Sequence, residues 1–195
     1  ETVVNNLRSY ILTRVKQAEQ LEALDIYDIM IGVVKNLGEY ATKRNIELRA
    51  NLRELRDVRI DGFENDLVRA LLNILHNAIK YSWECRSPAI AFVAVDGKVD
   101  RDWVYIQIEN WGVPITAEEI QQGLIYKVGY RGINSSDRRR PGTGLGLYDS
   151  LKVIEKHKGE MTITSHPSLG NAKDDYSNPF ITRVNLKLAR TKPSL

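Results

Sequence analysis

Two asparagines and a lysine lie about one turn apart on one side of the most regular predicted helix, which covers residues 64–81. On a helical wheel, Asn73 and Lys80 fall within about 60° of Asn77, and the apolar residues cluster on the opposite side. Amide oxygens suit a hard cation and an ammonium group suits phosphate, which together are what a magnesium nucleotide requires. By itself the pattern also fits a solvated polar face opposite a core face.

A glycine-rich stretch follows the longest predicted loop and opens a further predicted helix. It reads Gly142-Thr143-Gly144-Leu145-Gly146-Leu147. Closely spaced glycines let backbone N–H groups approach phosphate oxygens, and the N-terminus of a helix adds partial positive charge. The stretch is not a Walker loop, because no lysine and serine or threonine follow its last glycine, and it does not lie in a βαβ dinucleotide unit. A glycine-rich loop without a ligand is the alternative.

The loop before this stretch is basic. Five basic residues and one acid between Lys127 and Arg140 give this segment a charge of +4, in a chain whose net charge is only +3. A local basic loop on a nearly neutral body suits a small anionic ligand better than a long polyanion, and a solvated surface loop is the alternative. The sequence therefore predicts no nucleic-acid partner. A loop as long as Gly123–Gly142 is typical of functional segments.

The elements that must position these residues follow two periodicities. Apolar residues three and four apart predict helices at 2–24, 26–45, 64–81 and 145–157, and a short capped helix after Thr116. Alternating or short apolar runs predict strands at 46–50, 58–60, 89–95, 104–109, 161–165 and 182–188, with a hairpin turn at Asp96-Gly97-Lys98. This order indicates an α/β sandwich, in which three main helices cover one face of a mixed, mostly antiparallel sheet.

Size and composition are those of one globular domain. The chain has 195 residues, 43% of them apolar and 27% charged, which excludes disordered and fibrous classes. Its longest apolar run, Ala89–Val95, is far shorter than the roughly 20 residues of a membrane span, and no hydrophobic leader opens the chain. The single cysteine, Cys85, allows no internal disulfide and favours a reducing compartment. His76, His157 and His166 fit a helix edge, a helix end and a loop better than catalytic roles.

Three motifs occur in a fixed order along the chain. They are Asn73-Ile-Leu-His-Asn77-Ala-Ile-Lys80-Tyr81-Ser82, Glu109-Asn110-Trp111-Gly112-Val113-Pro114-Ile115 and Gly142-Thr-Gly144-Leu-Gly146-Leu. In order and spacing they resemble the catalytic ATP-binding domain of bacterial sensor histidine kinases, in the superfamily shared with gyrase and heat-shock chaperone ATPases. The likeness extends from about Asp25 to Leu188.

The resemblance implies a Bergerat-type ATP-binding fold, in which ATP lies between the asparagine helix and a mobile lid. It also implies three parts: residues 1–24 as the end of a dimerisation or linker helix, 25–190 as the catalytic domain and 191–195 as a tail. The implied enzyme is a protein histidine kinase that binds Mg²⁺ and ATP and transfers the γ-phosphoryl group to a histidine on its own dimerisation helices. A response regulator receiver domain would be the next partner, and the full-length parent would be a homodimer. We expect a cytoplasmic domain, whether or not its parent is membrane-anchored upstream.

The family pattern assigns the phosphate end of the site residue by residue. Asn77 would coordinate magnesium, Asn73 would support the metal and phosphate site, and Lys80 would face phosphate; these three form the expected catalytic set. The lid would neutralise and wrap the phosphates with Arg131, Arg138, Arg139, Arg140, Gly142, Thr143, Gly144, Leu145, Gly146 and Leu147.

The family pattern also assigns the base end. Tyr81 would border the purine, and Gly112 would let the backbone approach the base, with Ile115 close by. Thr182, on the last predicted strand, matches a threonine that assists base recognition. Asn110 stands where the family usually has an aspartate that accepts from the adenine amino group.

Two departures from the family pattern therefore stand out, Asn110 for aspartate and Pro114 for a second glycine. Period two along the strand places Asn110 on one face and Glu109 on the other, so Glu109 does not replace the missing acid. An amide oxygen still accepts a hydrogen bond, but without charge assistance, which is worth on the order of 1 kcal/mol, or about tenfold in affinity. The sequence therefore predicts weakened but surviving ATP binding.

Two rivals to the kinase remain. One is an ATP hydrolase of the same superfamily, although those hydrolases activate water with a glutamate one turn before the metal asparagine, where this chain has the neutral Asn73. The other is a non-catalytic nucleotide-binding regulatory module of the same fold, which Asn110 and Pro114 make credible.

Overall fold

The computed structural model describes residues 20–83, 91–136, 143–168, 170, 172 and 175–191. Its strands are β1 (Glu22–Asp25), β2 (Ile46–Asn51), β3 (Arg59–Gly62), β4 (Ala91–Val99), β5 (Trp103–Gly112), β6 (Glu160–Pro167) and β7 (Phe180–Ala189). Its helices are α1 (Ile26–Lys43), α2 (Glu64–Lys80), α3 (Ala117–Gln121), α4 (Ile133–Ser136) and α5 (Gly146–Lys156), with 3₁₀ turns at Arg53–Leu55 and Leu124–Tyr126. Within these ranges, no helix is both long and apolar enough to cross a membrane.

The main sheet has five strands in the order β2-β4-β5-β7-β6. Strands β2 and β4 run parallel, and the other neighbouring pairs run antiparallel, which confirms the predicted mixed, mostly antiparallel sheet. Strands β1 and β3 form a separate antiparallel pair. Along β5 and β7 every second residue is buried, so one face of the main sheet is apolar and covered.

Helices α1, α2 and α5 cover that apolar face, with α2 packed between the other two. The buried residues of α2 recur at three and four positions, the spacing that places them on one side of a helix. They pack with sheet residues such as Val93, Ile106 and Ile108 in one continuous core. The predicted α/β sandwich with three main helices is confirmed.

His157 joins the end of α5 to the start of α2. The ring is buried, its Nε2 accepts a hydrogen bond from the Phe63 N–H at 2.9 Å, and its Nδ1 lies 2.7 Å from the Val153 carbonyl oxygen. Phe63 is the residue before α2, which begins without a side-chain cap. His157 lies at the helix end, as predicted, and serves there as a hydrogen-bonded bridge between two helices.

The predicted hairpin turn at Asp96-Gly97-Lys98 is wrong. These residues lie inside β4, and the turn to β5 falls at residues 100–102, where the Asp100 carboxylate accepts from the Trp103 N–H at 2.8 Å. A Cβ on Gly97 would lie 2.5 Å from Leu55 Cδ1. The glycine is therefore required by a close contact across the structure and not by a local turn.

The end of the first predicted helix also differs from the structure. A helix is expected up to residue 24, but Glu22–Asp25 is the strand β1, which pairs with β3. Residues 2–19 of the predicted helix lie outside the described residues. At the other end, the Thr191 N–H donates to the Arg59 carbonyl oxygen at 2.8 Å.

Two segments predicted as loops contain regular structure. His166 lies in β6 rather than in a loop. The predicted long loop Gly123–Gly142 includes the 3₁₀ turn at Leu124–Tyr126 and the short helix α4, whereas residues 137–142 lie outside the described residues, as does Cys85.

Candidate nucleotide-binding site

The polar face of α2 forms one wall of the candidate site. Asn73, His76, Asn77 and Lys80 are half-buried, whereas every other residue from 71 to 79 is buried. The helical wheel therefore predicts this face correctly. The two amides are held on a helix that the core fixes in place, which suits a site that must present oxygens in a defined direction.

The N-terminus of α5 faces these amides. A Cβ on Gly146 would lie 3.8 Å from both Asn73 Cγ and Asn77 Nδ2, so any side chain here would fill the space between the helix end and the amides. Helix α5 begins without a side-chain cap, which leaves its first N–H groups available to an anion. The Ser150 hydroxyl lies 3.2 Å from the Ala70 carbonyl oxygen and ties α5 to α2.

Ion pairs hold the same two helices together. Arg69 on α2 contacts Asp149 at 2.6 Å and Asp66 at 2.9 Å, and Lys156 on α5 contacts Asp66 at 2.7 Å. Burial opposes ionisation of Asp66, but the hydrogen bonds from Lys156 and Arg69 outweigh it and keep the pKa of this carboxyl below its ordinary value. The Ser150 hydrogen bond and these ion pairs together hold the start of α5 in place relative to the amides on α2.

The glycine-rich stretch is locked to the segment before α4 by a close backbone contact. The Gly129 N–H donates to the Gly144 carbonyl oxygen at 3.1 Å. Gly144 has a φ of +70°, and a Cβ there would lie 2.5 Å from the Gly129 carbonyl carbon and 2.6 Å from the Tyr130 oxygen. Only glycine fits this position without strain.

A second polar group is a row of side chains that crosses the three strands β5, β7 and β6. Thr182 on β7 is the register partner of Asn110 on β5 and of Ser165 on β6. Asn110 is 5% exposed and Thr182 8% exposed. The hydroxyls of Ser165 and Thr182 lie 3.1 Å apart, while none of the residues that the structure describes forms a hydrogen bond with the Asn110 amide. The amide can therefore still bond to a polar group of a ligand or to water.

The end of α2 is joined to the end of β5 beside this row. The Val113 N–H donates to the Tyr81 carbonyl oxygen at 2.9 Å, and the Trp83 N–H donates to the Trp111 carbonyl oxygen at 2.8 Å. A Cβ on Gly112 would clash with the Asn110 amide and lie 2.8 Å from the Tyr81 oxygen. Gly112 therefore allows the two motifs to meet, in addition to any approach to a base.

His76 lies on the same polar face but in a different environment. Its ring stacks on Tyr40 with centroids 4.9 Å apart. Burial, followed by the positive charges of Lys80 and Arg44, lowers the pKa of His76 from 6.5 to about 4. The ring is thus neutral near pH 7 and packs against α1, in agreement with the predicted structural role.

The remaining predicted residues are placed as follows. The Lys80 ammonium lies 4.9 Å from the centroid of the Tyr81 ring. Ile115 is packed against the core, and its N–H donates to Ser165 Oγ at 3.3 Å. Thr143, Leu145 and Arg131 are exposed, and Leu147 packs against the core. Arg138, Arg139, Arg140 and Gly142 lie outside the described residues.

A sequence-family comparison covers most of the residues that form this cleft. The profile described as "Histidine kinase-, DNA gyrase B-, and HSP90-like ATPase" matches residues 62–188, well over half of the chain. The chain belongs to this ATPase family. The resemblance drawn from the three motifs is therefore confirmed, and with it the ATP-binding character of the domain.

Curated relatives of this ATPase domain include sensor histidine kinases and a sporulation kinase. It is 28% identical to the "Sensor histidine kinase MtrB" of Mycolicibacterium paratuberculosis over 77% of this chain and 25% of that protein. It is 26% identical to "Sporulation kinase E" of Bacillus subtilis over 84% of this chain and 20% of that protein. The chain therefore spans a quarter or less of the length of these two relatives.

Solved structures confirm the fold of the ATPase domain. The "Mycobacterial sensor histidine kinase MprB" matches with a TM-score of 0.71 and 22% identity, over 88% of this chain and 100% of that one. Full-length ShkA in complex with AMPPNP matches with a TM-score of 0.65 and 17% identity, over 100% of this chain and 36% of that one. The five-stranded mixed sheet under helices is thus the Bergerat-type fold that the motifs predict.

The fold brings the predicted residues of the ATPase domain into two groups, one on the polar face of α2 and one beside the junction between the end of α2 and the end of β5. Asn73 and Asn77 meet the start of α5, and Asn110, Gly112 and Thr182 lie together at the ends of neighbouring strands. Sequence reasoning missed two participants. Ser165 completes the polar row, and its place opposite Thr182 could have been found from the strand register. Glu119, predicted only as part of a helix cap, makes contacts far along the chain.

Proposed function

We propose that the domain binds Mg²⁺ and ATP in the cleft between α2 and the N-terminus of α5, and transfers the γ-phosphoryl group to a histidine on the dimerisation helices of its own parent protein. The observation that carries the proposal is Gly146, which leaves the start of α5 open toward the amides of Asn73 and Asn77. An uncapped helix N-terminus and two amides facing each other form a cradle suited to phosphate and a hard cation.

The base end of the cleft supports a nucleobase. Asn110 is 5% exposed, its amide forms no hydrogen bond with another described residue, and Thr182 is its partner on the neighbouring strand. A flat, polar-edged ring with donors and acceptors would satisfy the amide. Tyr81, Gly112 and Ile115 border this end and would line the base.

The phosphate end would be handled by backbone and positive charge. Gly146 brings the backbone of the glycine-rich stretch close to α2, and Gly144 brings it against Gly129 and Tyr130. Thr143, Leu145 and Leu147 belong to the same stretch and would surround the phosphates with it. Lys80 and Arg131 would offset phosphate charge, as would Arg140 and its arginine neighbours. Catalysis would consist mostly of positioning and charge neutralisation.

The residues present fit a magnesium ion. Asn77 would offer it an amide oxygen, and Asn73, one turn earlier, would hold the neighbouring phosphate contacts. A magnesium ion held there would supply positive charge that offsets the negative charge of the phosphates.

Phosphoryl transfer is favoured over hydrolysis by the neutral Asn73. An amide cannot take a proton from water, so the position one turn before Asn77 lacks a general base. Asp149, in the first turn of α5, contacts Arg69 at 2.6 Å and is therefore engaged in joining the helices. A non-catalytic nucleotide-binding module is the second candidate, because Asn110 replaces the family's aspartate.

The wider proposal concerns the parent protein. Residues before β1 would lead from the dimerisation helices, the parent would act as a homodimer in the cytoplasm, and a response regulator receiver domain would accept the phosphoryl group. The relatives named as sensor histidine kinases support this placement.

The test uses a full-length version of the protein incubated with Mg²⁺ and ATP labelled at the γ-phosphate. We expect acid-labile phosphate on the parent protein. Asn77→Ala should lose this label, and Asn36→Ala, at an exposed position of α1, should retain it. Release of inorganic phosphate without labelled protein would favour the hydrolase. Nucleotide binding with neither label nor hydrolysis would favour the non-catalytic module.

A further inference from the structure

Glu119 is a fully buried acid outside the two groups of predicted site residues. It lies on the five-residue helix α3 and is 1% exposed. A carboxylate that is removed from water in this way needs several hydrogen-bond donors to compensate for its desolvation. The donors that Glu119 receives come from two separate parts of the chain.

One oxygen of the carboxylate completes a helix cap. The Thr116 N–H donates to Glu119 Oε2 at 2.8 Å, and the Glu119 N–H donates to Thr116 Oγ1 at 3.2 Å. This is the reciprocal capping box that the sequence predicts, and such a cap forms equally well on an exposed helix. It does not by itself explain why the carboxylate is buried.

The other oxygen reaches a distant segment. The Tyr130 hydroxyl donates to Glu119 Oε1 at 3.0 Å, and the Ile133 N–H donates to the same oxygen at 2.9 Å. Burial, with the hydrogen bond and negative charge of Glu119, raises the pKa of Tyr130, so this hydroxyl stays a donor at any ordinary pH. Glu119 therefore fixes the chain on both sides of Arg131.

The fixed segment leads directly to the phosphate end of the cleft. Gly129 bonds to Gly144, and Gly144 packs against the Tyr130 carbonyl. Two residues later, Gly146 faces Asn73 and Asn77. The contacts thus run from α3 through residues 129–133 and the glycine-rich stretch to the polar face of α2.

We propose that Glu119 is a positioning residue for phosphate binding, which acts by holding Arg131 and the Gly129–Gly144 contact in place against the cleft. This inference rests on the proposed function, because it assigns a role toward the phosphates of the same nucleotide. It requires Glu119 to affect the binding of the phosphates and not that of the nucleoside.

The test compares Glu119→Gln with Glu118→Gln by calorimetry. The two changes remove the same charge from neighbouring positions of α3, but Glu118 is exposed and bonds only to Gln122 within its own turn among the described contacts. With Mg²⁺ present, Glu119→Gln should weaken binding of a non-hydrolysable ATP analogue about tenfold and leave adenosine binding within about twofold, whereas Glu118→Gln should change neither. Tyr130→Phe removes only the hydrogen bond from the Tyr130 hydroxyl to Glu119. It should show the same pattern with a smaller loss of affinity for the analogue, and it replaces Glu119→Gln in the test if that variant fails to fold.

A double-mutant cycle separates positioning from general support of the fold. If Glu119 acts through Arg131, then Glu119→Gln should cost little further affinity in an Arg131→Gln background. Equal losses for analogue and adenosine, or full additivity with Arg131→Gln, would overturn the assignment. If the parent chain binds the analogue and both Glu119→Gln and Tyr130→Phe bind it as tightly as the parent, this assignment alone is overturned. A parent chain that does not bind the analogue at all would overturn the proposed function and this assignment with it.

Discussion

Asn110 and Thr182 lie directly opposite each other on neighbouring antiparallel strands, and both are buried. The Thr182 hydroxyl is within hydrogen-bond distance of Ser165, at 3.1 Å. The Asn110 amide has no such contact with any described residue. Within the described residues, no hydrogen bond therefore selects which end of the amide points outward, and a bound base would make that selection.

The first prediction is that Asn110→Asp strengthens ATP binding and widens the preference for ATP over GTP. A carboxylate only accepts, so it favours the adenine amino group and repels the guanine carbonyl, whereas an amide can turn its oxygen or its NH₂ inward. We expect ATP affinity to rise about tenfold. Competition of ATP against GTP measures both effects. Asn185→Asp, on the outer face of the same sheet beside Gln107, is the matched control, and an unchanged ATP/GTP ratio in Asn110→Asp would refute the idea.

The second prediction concerns the close contact at Gly144. A Cβ there would meet the Gly129 backbone at 2.5 Å in addition to the strain of a positive φ. Gly123 has a φ of +63° but open space around it, so Gly123→Ala should cost only about 1 kcal/mol. Gly144→Ala should cost about 1 to 3 kcal/mol more, because backbone must move, and should weaken binding of the ATP analogue. Denaturant unfolding and calorimetry on both variants provide the comparison; equal stability and affinity of the two would show that the contact is unimportant.

The sequence predicts those parts of the site whose geometry is local. The wheel of α2 depends only on helical period, and the opposite faces of Asn110 and Glu109 depend only on strand period, so both are correct. The turn at Gly97 is predicted wrongly because a residue distant in sequence, Leu55, packs so closely against this position that it leaves no room for a side chain. The long-range role of Glu119 is missed for a similar reason, since Tyr130 and Ile133 meet it only after folding.

The third prediction is an acid-dependent loss of stability caused by His76. Its pKa is about 4 in the folded protein against 6.5 as the ordinary value, so the unfolded chain takes up a proton first as pH falls. The contribution is fully present above pH 6.5 and is lost between pH 6.5 and 4. Between pH 7.5 and 5 this loss amounts to about 2 kcal/mol. Urea unfolding at the two pH values should show a smaller acid loss in His76→Phe, which keeps a ring against Tyr40; an identical acid loss in both proteins would contradict the assignment.

The fourth prediction concerns the bridge made by His157. His157→Ala removes the acceptor of the Phe63 N–H and leaves a cavity beside the Phe63 ring, which lies 5.8 Å from the imidazole between centroids. Loss of a buried hydrogen-bonded group of this kind should cost about 2 to 3 kcal/mol. His166→Ala, at an exposed position of β6, should stay within about 0.5 kcal/mol of the parent. Thermal or denaturant unfolding measures the loss of stability in both variants. Similar losses in the two would contradict the bridging role of His157.

The central claim is that Asn77 and the start of α5 form a magnesium-dependent nucleotide site. Calorimetric titration of a non-hydrolysable ATP analogue, with and without Mg²⁺, on the parent chain, Asn77→Ala and the control Asn36→Ala tests it most directly. The parent and the control should bind at least about tenfold more tightly with the metal, and Asn77→Ala should lose that dependence because alanine offers the cation no oxygen. Metal-independent binding by the parent, or full metal dependence in Asn77→Ala, would contradict the account.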